Sequence, residues 1–285
     1  MTPTKRPQPL VSAAELANEL LYQTPPTILD VRWRLGGPSA VPDYIAGHIP
    51  GAVFLELDEE VTGPHAGPGG RHPLPDPGTL QEALRRAGIT PGARVVVYDD
   101  GDGLPAARTW WTLRWAGLAD VAVLDGGYAA WRAADGAVET DVPEPEPGDV
   151  TVRPGGMPVL DAAATTELVG GGGVLLDVRA SERYRGESEP IDPVAGHIPG
   201  ARNVPKTDTT EPDGRLLPAD RLRALFAAAG VDAGTPVGAY CGSGVTAAHT
   251  VLAMTVAGLN PALYVGSWSD WVSDPSRPVA TGDRP

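Results

Sequence analysis

The chain is written twice, and this constrains its fold more than any other feature. TILDVR at 27–32 returns as VLLDVR at 174–179, and AGHIPGA at 46–52 returns letter for letter at 195–201. LQEALRRAGI at 80–89 meets LRALFAAAGV at 222–231, VVVYD at 95–99 meets VGAYC at 237–241, and DGGYAAW at 125–131 meets VGSWSDW at 265–271. The order is kept, and the offset drifts only between about 140 and 149 residues. Blocks in register along a whole chain mean a duplicated domain, and 285 residues hold two domains of ordinary size. Between the copies lies DVPEPEPGDVTVRPGG at 141–156. It is rich in proline and glycine and has no apolar period, as an extended interdomain linker would. The expected organisation is a first domain over 8–138, a linker over 139–156 and a second domain over 157–285.

Each half alternates strand and helix signals. Ser12 followed by Glu15 forms a capping box that opens a helix over 13–21. Short apolar runs predict buried strands at 27–31, 94–98 and 121–124, and at 174–178, 236–240 and 262–265. Helices are expected at 80–87 and 106–116, then at 219–229 and 245–257. The fold class is α/β, each domain a mostly parallel sheet flanked by helices. Ligands of such sheets sit at the carboxyl ends of the strands.

A net charge of −14 argues against nucleic acid as the main partner, because phosphate binding needs a basic face. No window reaches the length of a membrane span, and no signal-peptide core follows Lys5 and Arg6. A single cysteine excludes an internal disulfide, so a cytoplasmic location is the default expectation.

That cysteine, Cys241, directly follows the strand PVGAY and precedes a helix starting near Val245. The glycines of the loop C-G-S-G-V-T let the backbone curl and turn its N–H groups inward. The helix start adds unpaired N–H groups and the positive end of a dipole. A thiolate is stabilised in that setting and becomes a good nucleophile; the competing role is a small buried core residue. The matching loop of the first half carries Asp99 in place of the cysteine, with Asp100 and Asp102 after it, so no thiol chemistry is expected there. A Cys-x5-Arg phosphatase would need an arginine at 247, where the chain has Ala247.

The duplicated AGHIPGA, the strand-end YCGSGVTA and the late LYVGSWSDW resemble the tandem-domain sulfurtransferases of the rhodanese family, which act on thiosulfate or 3-mercaptopyruvate. The resemblance spans nearly the whole chain. It implies two rhodanese-like domains, an inactive first and a catalytic second, and a ping-pong cycle in which Cys241 takes sulfur as a persulfide. It implies a thiol, thioredoxin-like or cyanide acceptor, no cofactor and no metal. In the thiosulfate enzymes the two positions after the cysteine are typically basic, whereas here they are Gly242 and Ser243, as in the mercaptopyruvate enzymes. The same resemblance places the donor's carboxylate on Arg183, the persulfide loop on Gly242, Gly244, Val245 and Thr246, and a proton relay on Ser243. A second carboxylate-binding arginine of the animal enzymes would fall near Ile191, and Arg185 is the expected substitute. A relay histidine of the H-I-P-G block falls on His48 with Asp43 to orient it, although the same block carries His197 in the second half, as a fold element would. Asp30 and Asp177, each followed by Val-Arg, are expected as strand-end hydrogen-bonding pairs. Trp110, Trp111, Trp115, Trp131, Trp268 and Trp271 are expected in packing. His65 and His72, seven apart in a Gly/Pro-rich loop, form only a weak metal pattern. Outside enzymology, the competing readings are a sulfur carrier or regulatory binding module, and a thiol redox sensor that would need a resolving cysteine from elsewhere.

Overall fold

The computed structural model describes residues 8–64 and 69–285. It divides into two compact units. The first holds the chain up to Val61, Asp76–Gly156 and Asp213–Arg215; the second holds Thr62–Pro75, Met157–Pro212 and Leu216–Pro285. Thus a short piece of each half belongs to the unit built by the other half.

Among the described residues each unit has one five-stranded sheet. The first uses β1 (Leu10–Val11), β2 (Thr27–Asp30), β3 (Val53–Phe54), β4 (Val95–Tyr98) and β5 (Val121–Leu124), in the order β1-β5-β4-β2-β3. The second repeats it with β6 (Val159–Leu160), β7 (Val174–Asp177), β8 (Ala201–Asn203), β9 (Val237–Tyr240) and β10 (Ala262–Tyr264), in the order β6-β10-β9-β7-β8. Every pairing is parallel. The central strands β4 (VVVY) and β9 (VGAY) are buried at every position, which is why they read as continuous apolar runs. Helices α1 (Ala13–Glu19), α2 (Val41–Ala46), α3 (Pro77–Arg86), α4 (Leu104–Trp115) and α5 (Gly127–Ala133) belong to the first unit. Helices α6 (Ala162–Gly170), α7 (Ser181–Tyr184), α8 (Ala219–Ala228), α9 (Val245–Val256) and α10 (Ser267–Trp271) belong to the second. The six tryptophans expected in packing are all buried.

The AGHIPGA repeat acquires a physical reason here. Asp30 and Asp177 end β2 and β7, and each takes a buried guanidinium two residues on: Arg32 Nη2 at 2.6 Å and Arg179 Nη2 at 2.6 Å. The same Nη2 atoms donate onward to Gly47 O (2.9 Å) and Gly196 O (2.6 Å), inside the repeated block. His48 and His197 follow. Each Nδ1–H donates to a tyrosine carbonyl at 2.8 Å, Tyr44 and Tyr184, and each ring stacks on that tyrosine at 4.1 and 3.8 Å between centroids. The backbones of His48 and His197 bridge to Glu139 and Ala280.

The expected linker over 139–156 is extended but packs as a strap on the first unit. Gly148 N donates to Arg85 O (2.7 Å), Arg153 N to Ala116 O (2.8 Å) and Gly156 N to Trp115 O (3.0 Å). These acceptors are carbonyls at the C-terminal ends of α3 and α4, which a helix leaves without internal partners. Composition identified a segment with no secondary structure of its own, but not the helix ends waiting to bind it.

Candidate active site

Cys241 sits where β9 ends, next to the end of β7. Chain order reverses between these two strands, with β7 leading outward to β8 and β9 leading the other way to β10. Such a switch point opens a crevice at the carboxyl ends of the strands. The cysteine is free and 2% exposed. Gly244, at φ +85°, turns the loop into α9, and its N–H donates to Cys241 Sγ at 3.1 Å. Val245 and Thr246 form the first turn of α9. Behind the cysteine, Cys241 N donates to Ser267 Oγ (3.1 Å), and that hydroxyl donates to Tyr264 O (2.9 Å). Ser267 holds this place at φ +54°, a left-handed conformation that costs a non-glycine residue about 1–2 kcal/mol. Trp268 N and Ser269 N donate to Cys241 O and Gly242 O at 3.0 and 2.9 Å. The start of α10 therefore fixes the cysteine loop.

Arg71 and His72, drawn from the first half of the sequence, pack against the cysteine loop. His72 Nδ1 and Ser243 Oγ are hydrogen-bonded at 2.7 Å, both groups buried. Arg71 N donates to Ser269 Oγ at 3.1 Å. The Arg71 guanidinium forms a two-pronged pair with Asp192, which also lies 3.5 Å from Arg183 Nη2. Arg183 itself is held by Glu189, with Nη2 to Oε1 at 2.5 Å and Nε to Oε2 at 3.1 Å. Burial alone would raise the Glu189 pKa, but its hydrogen bonds from Arg183 and from the N–H groups of Asp192 and Ile191 outweigh that and hold it below the usual carboxylate range.

Several expected residues fall elsewhere. The histidine that meets Ser243 is His72, whereas His48 is enclosed in the first unit, stacked on Tyr44 as His197 is on Tyr184. Asp43 is paired with Arg34 at 2.7 Å on the surface, not with His48. Arg185 is bound by Glu187 at 2.8 Å and lies 3.8 Å from Asp283. In the notional pair of metal-ligating histidines, His72 is engaged by Ser243 and His65 lies outside the described residues. The signal for Arg71 and His72 was GRHPLP at 70–75, whose counterpart in the second half is GRLLP at 214–218; arginine is kept and histidine is not.

In the first unit the matching loop is closed by its own side chain. Asp99 Oδ1 accepts from Gly101 N (2.8 Å) and Gly103 N (3.2 Å), and Oδ2 accepts from Ala106 N (3.1 Å). Burial and the neighbouring Asp102 raise the Asp99 pKa to about 6 against these hydrogen bonds.

Comparison with known proteins shows the family of the chain. The rhodanese-like domain model matches twice, over residues 12–134 and 161–274. A Mycobacterium tuberculosis protein named as a thiosulfate sulfurtransferase, SseB, is 48% identical over 279 residues, covering 97% of this chain and 98% of its own. A Pseudomonas aeruginosa protein named as a 3-mercaptopyruvate sulfurtransferase is 47% identical over 282 residues, covering 96% and 98%. The crystal structure of the Escherichia coli enzyme SseA, described as a 3-mercaptopyruvate sulfotransferase, superposes with a TM-score of 0.80 at 32% identity, covering 92% of this chain and 99% of that one. With two matched domains and full-length relatives at this identity, the chain belongs to the rhodanese-like family of tandem-domain proteins.

Proposed function

We propose that this protein is a sulfurtransferase that takes sulfur from 3-mercaptopyruvate onto Cys241 and passes it to a thiol, thioredoxin-like or cyanide acceptor. The observation that carries the donor assignment is the hydrogen bond between Ser243 and His72, two residues along from the nucleophile. The Cys241 thiolate attacks the donor's sulfur, an S–S bond forms, and the C–S bond breaks with its electron pair left on carbon as the enolate of pyruvate. That carbon must then gain a proton, and a hydroxyl coupled to an imidazole supplies the relay. Thiosulfate makes no such demand, since sulfite leaves with the electron pair on sulfur and needs no proton on carbon. Gly244 N–H, already on Sγ at 3.1 Å, stabilises the anionic sulfur before and after transfer. An acceptor thiolate then attacks the outer sulfur and regenerates the Cys241 thiolate. In this reading Ser243 and His72 are the relay, Gly242, Gly244, Val245 and Thr246 form the anion-holding loop, Arg183 binds the carboxylate, and His48 keeps the fold. A lone cysteine and an acidic surface fit a reducing, cytoplasmic setting with no nucleic-acid partner. No helix among the described residues is long and apolar enough to cross a membrane.

The test is kcat/KM with 3-mercaptopyruvate and with thiosulfate, against one shared cyanide acceptor, with Cys241→Ser as control. The expected outcome is a preference for 3-mercaptopyruvate, with both activities lost in the variant. A preference for thiosulfate, the activity in the name of the 48% identical relative, would overturn the donor assignment and keep the persulfide. Absence of turnover with either donor would favour the carrier or binding-module reading.

A further inference from the structure

We propose that Arg71 is a donor-binding residue: with Arg183 it forms a two-arginine clamp for the donor's carboxylate, in place of the arginine absent near Ile191. This rests on the mercaptopyruvate reading above. A Cβ placed on Gly242, the residue after the nucleophile, would lie 3.0 Å from Arg71 Nη2 and 3.7 Å from Arg183 Nη2. The two guanidiniums therefore converge on the space above the cysteine loop, and a glycine at 242 keeps that space open. Their counter-charges lie underneath. The Asp192 and Glu189 side chains are 3% exposed, against 27% for Arg71 and 17% for Arg183. The guanidiniums are thus more exposed to an arriving ligand than the carboxylates that hold them. The fixed fork of a guanidinium suits a planar carboxylate.

The loop 189–192 shows why this chain recruits an arginine from elsewhere. Ile191 N and Asp192 N both donate to Glu189 Oε1, at 3.2 and 3.1 Å, which curls the backbone around that carboxylate. Ile191 is left on the surface, 48% exposed, while Asp192 is buried. The loop thus supplies the clamp with an anchoring carboxylate instead of a cation, and Asp192 holds the arginine carried in by segment 62–75. Arg71 is fixed at its backbone too, through Ser269, and its neighbour Gly70 lies so close to the Gly266 carbonyl that a Cβ there would collide with it. A side chain held at both ends loses little freedom when it binds.

The experiment compares 3-mercaptopyruvate with its methyl ester, which lacks the charge, in the parent protein, Arg71→Ala and Arg71→Lys. If Arg71 grips the carboxylate, Arg71→Ala raises KM for the acid ~10- to 100-fold more than KM for the ester, the loss typical of one charge-assisted hydrogen-bonding partner. Arg71→Lys restores part of the difference. An acid-to-ester ratio equal to the parent's in Arg71→Ala overturns the clamp, as does an equal loss on both donors in both variants, which marks a structural role. Should Arg71→Ala fail to fold by thermal melting, the ratio in Arg71→Lys decides: a parent-like ratio overturns the clamp, and a reduced one supports it. The parent separates the two levels. Failure of the parent to turn over the acid removes the donor reading itself, whereas turnover with an unmoved ratio removes only Arg71.

Discussion

The loops at Asp99 and Cys241 are the same piece of backbone put to two uses. Both follow a buried strand ending in tyrosine, and both lie beside an Asp–Arg pair at the end of the neighbouring strand. Both turn backbone N–H onto a side-chain group of the residue that follows the strand. In the first unit that group is the chain's own Asp99 carboxylate, which accepts from two loop N–H groups and one in the first turn of α4. In the second it is the sulfur of Cys241. The support behind the loop differs as well. Gly127 takes the left-handed conformation at φ +56° beside Asp99, whereas Ser267 takes it at φ +54° and uses its hydroxyl to hold Cys241 N. The visiting arginines differ again. Arg215, in the first unit, faces Asp213 at 3.7 Å with both side chains half exposed, while Arg71 is clasped by buried Asp192. A loop that turns N–H onto the residue after the strand belongs to the repeated architecture; a thiol, a serine at positive φ and an arginine near glycine distinguish the second copy.

The most severe test of this equivalence is Cys241→Asp, which rebuilds the first loop in the second unit. Turnover of 3-mercaptopyruvate should fall to background, while thermal melting stays within ~4 °C of the parent, about 1 kcal/mol for units of this size. A much larger drop in melting temperature would show that the two loops do not accept the same anion. Next in size is Ser243→Ala, which leaves the thiol loop and removes the relay. It should lower kcat with 3-mercaptopyruvate by ~10²–10⁴, the usual range for general acid–base groups, and affect thiosulfate far less. Equal losses on both donors, measured at saturating acceptor, would assign Ser243 to loop structure. The smallest effect concerns Asp99→Asn. The folded Asp99 pKa, about 6, lies above the ordinary aspartate value. Its contribution to stability is therefore full below about pH 4 and is lost as pH rises through 6. Urea unfolding from pH 4 to 8 should show the parent losing stability relative to Asp99→Asn across that window, by on the order of 1–3 kcal/mol, then running parallel above it. A constant difference at every pH would mean that Asp99 titrates normally.

Much of this was readable in the letters. The repeat predicts the two sheets, and the lone cysteine lies between a buried strand and a helix as its neighbours imply. β5 lies at the expected 121–124, and the other expected strands differ only at an end. The very short strands β1, β3 and β6 escaped because two residues carry no periodicity. Helix α6 escaped because AAATTELVG has no clear polar face, although Asp161 caps it by accepting Ala164 N at 2.8 Å. The relay expectation fell on His48, the histidine of the repeated motif, whereas the histidine hydrogen-bonded to Ser243 is the unrepeated His72. His48 and His197 have the same partners, as a shared fold element should. His72 lies in a glycine- and proline-rich stretch with no local pattern, and its meaning comes from a contact spanning 171 residues. No window-based reading reaches that far.

The chain passes between the two units after residues 61, 75, 156, 212 and 215, so neither unit is a continuous stretch of polypeptide. A fragment cut at the apparent boundary, 157–285, would carry the nucleophile without Arg71 or His72. During synthesis the order also matters. Arg71 and His72 emerge early and wait for partners near the far end of the chain, at Ser243 and Ser269. Contacts so distant in sequence are slow to form. These contacts of Arg71 and His72 therefore form only once residues 243 and 269 have been made.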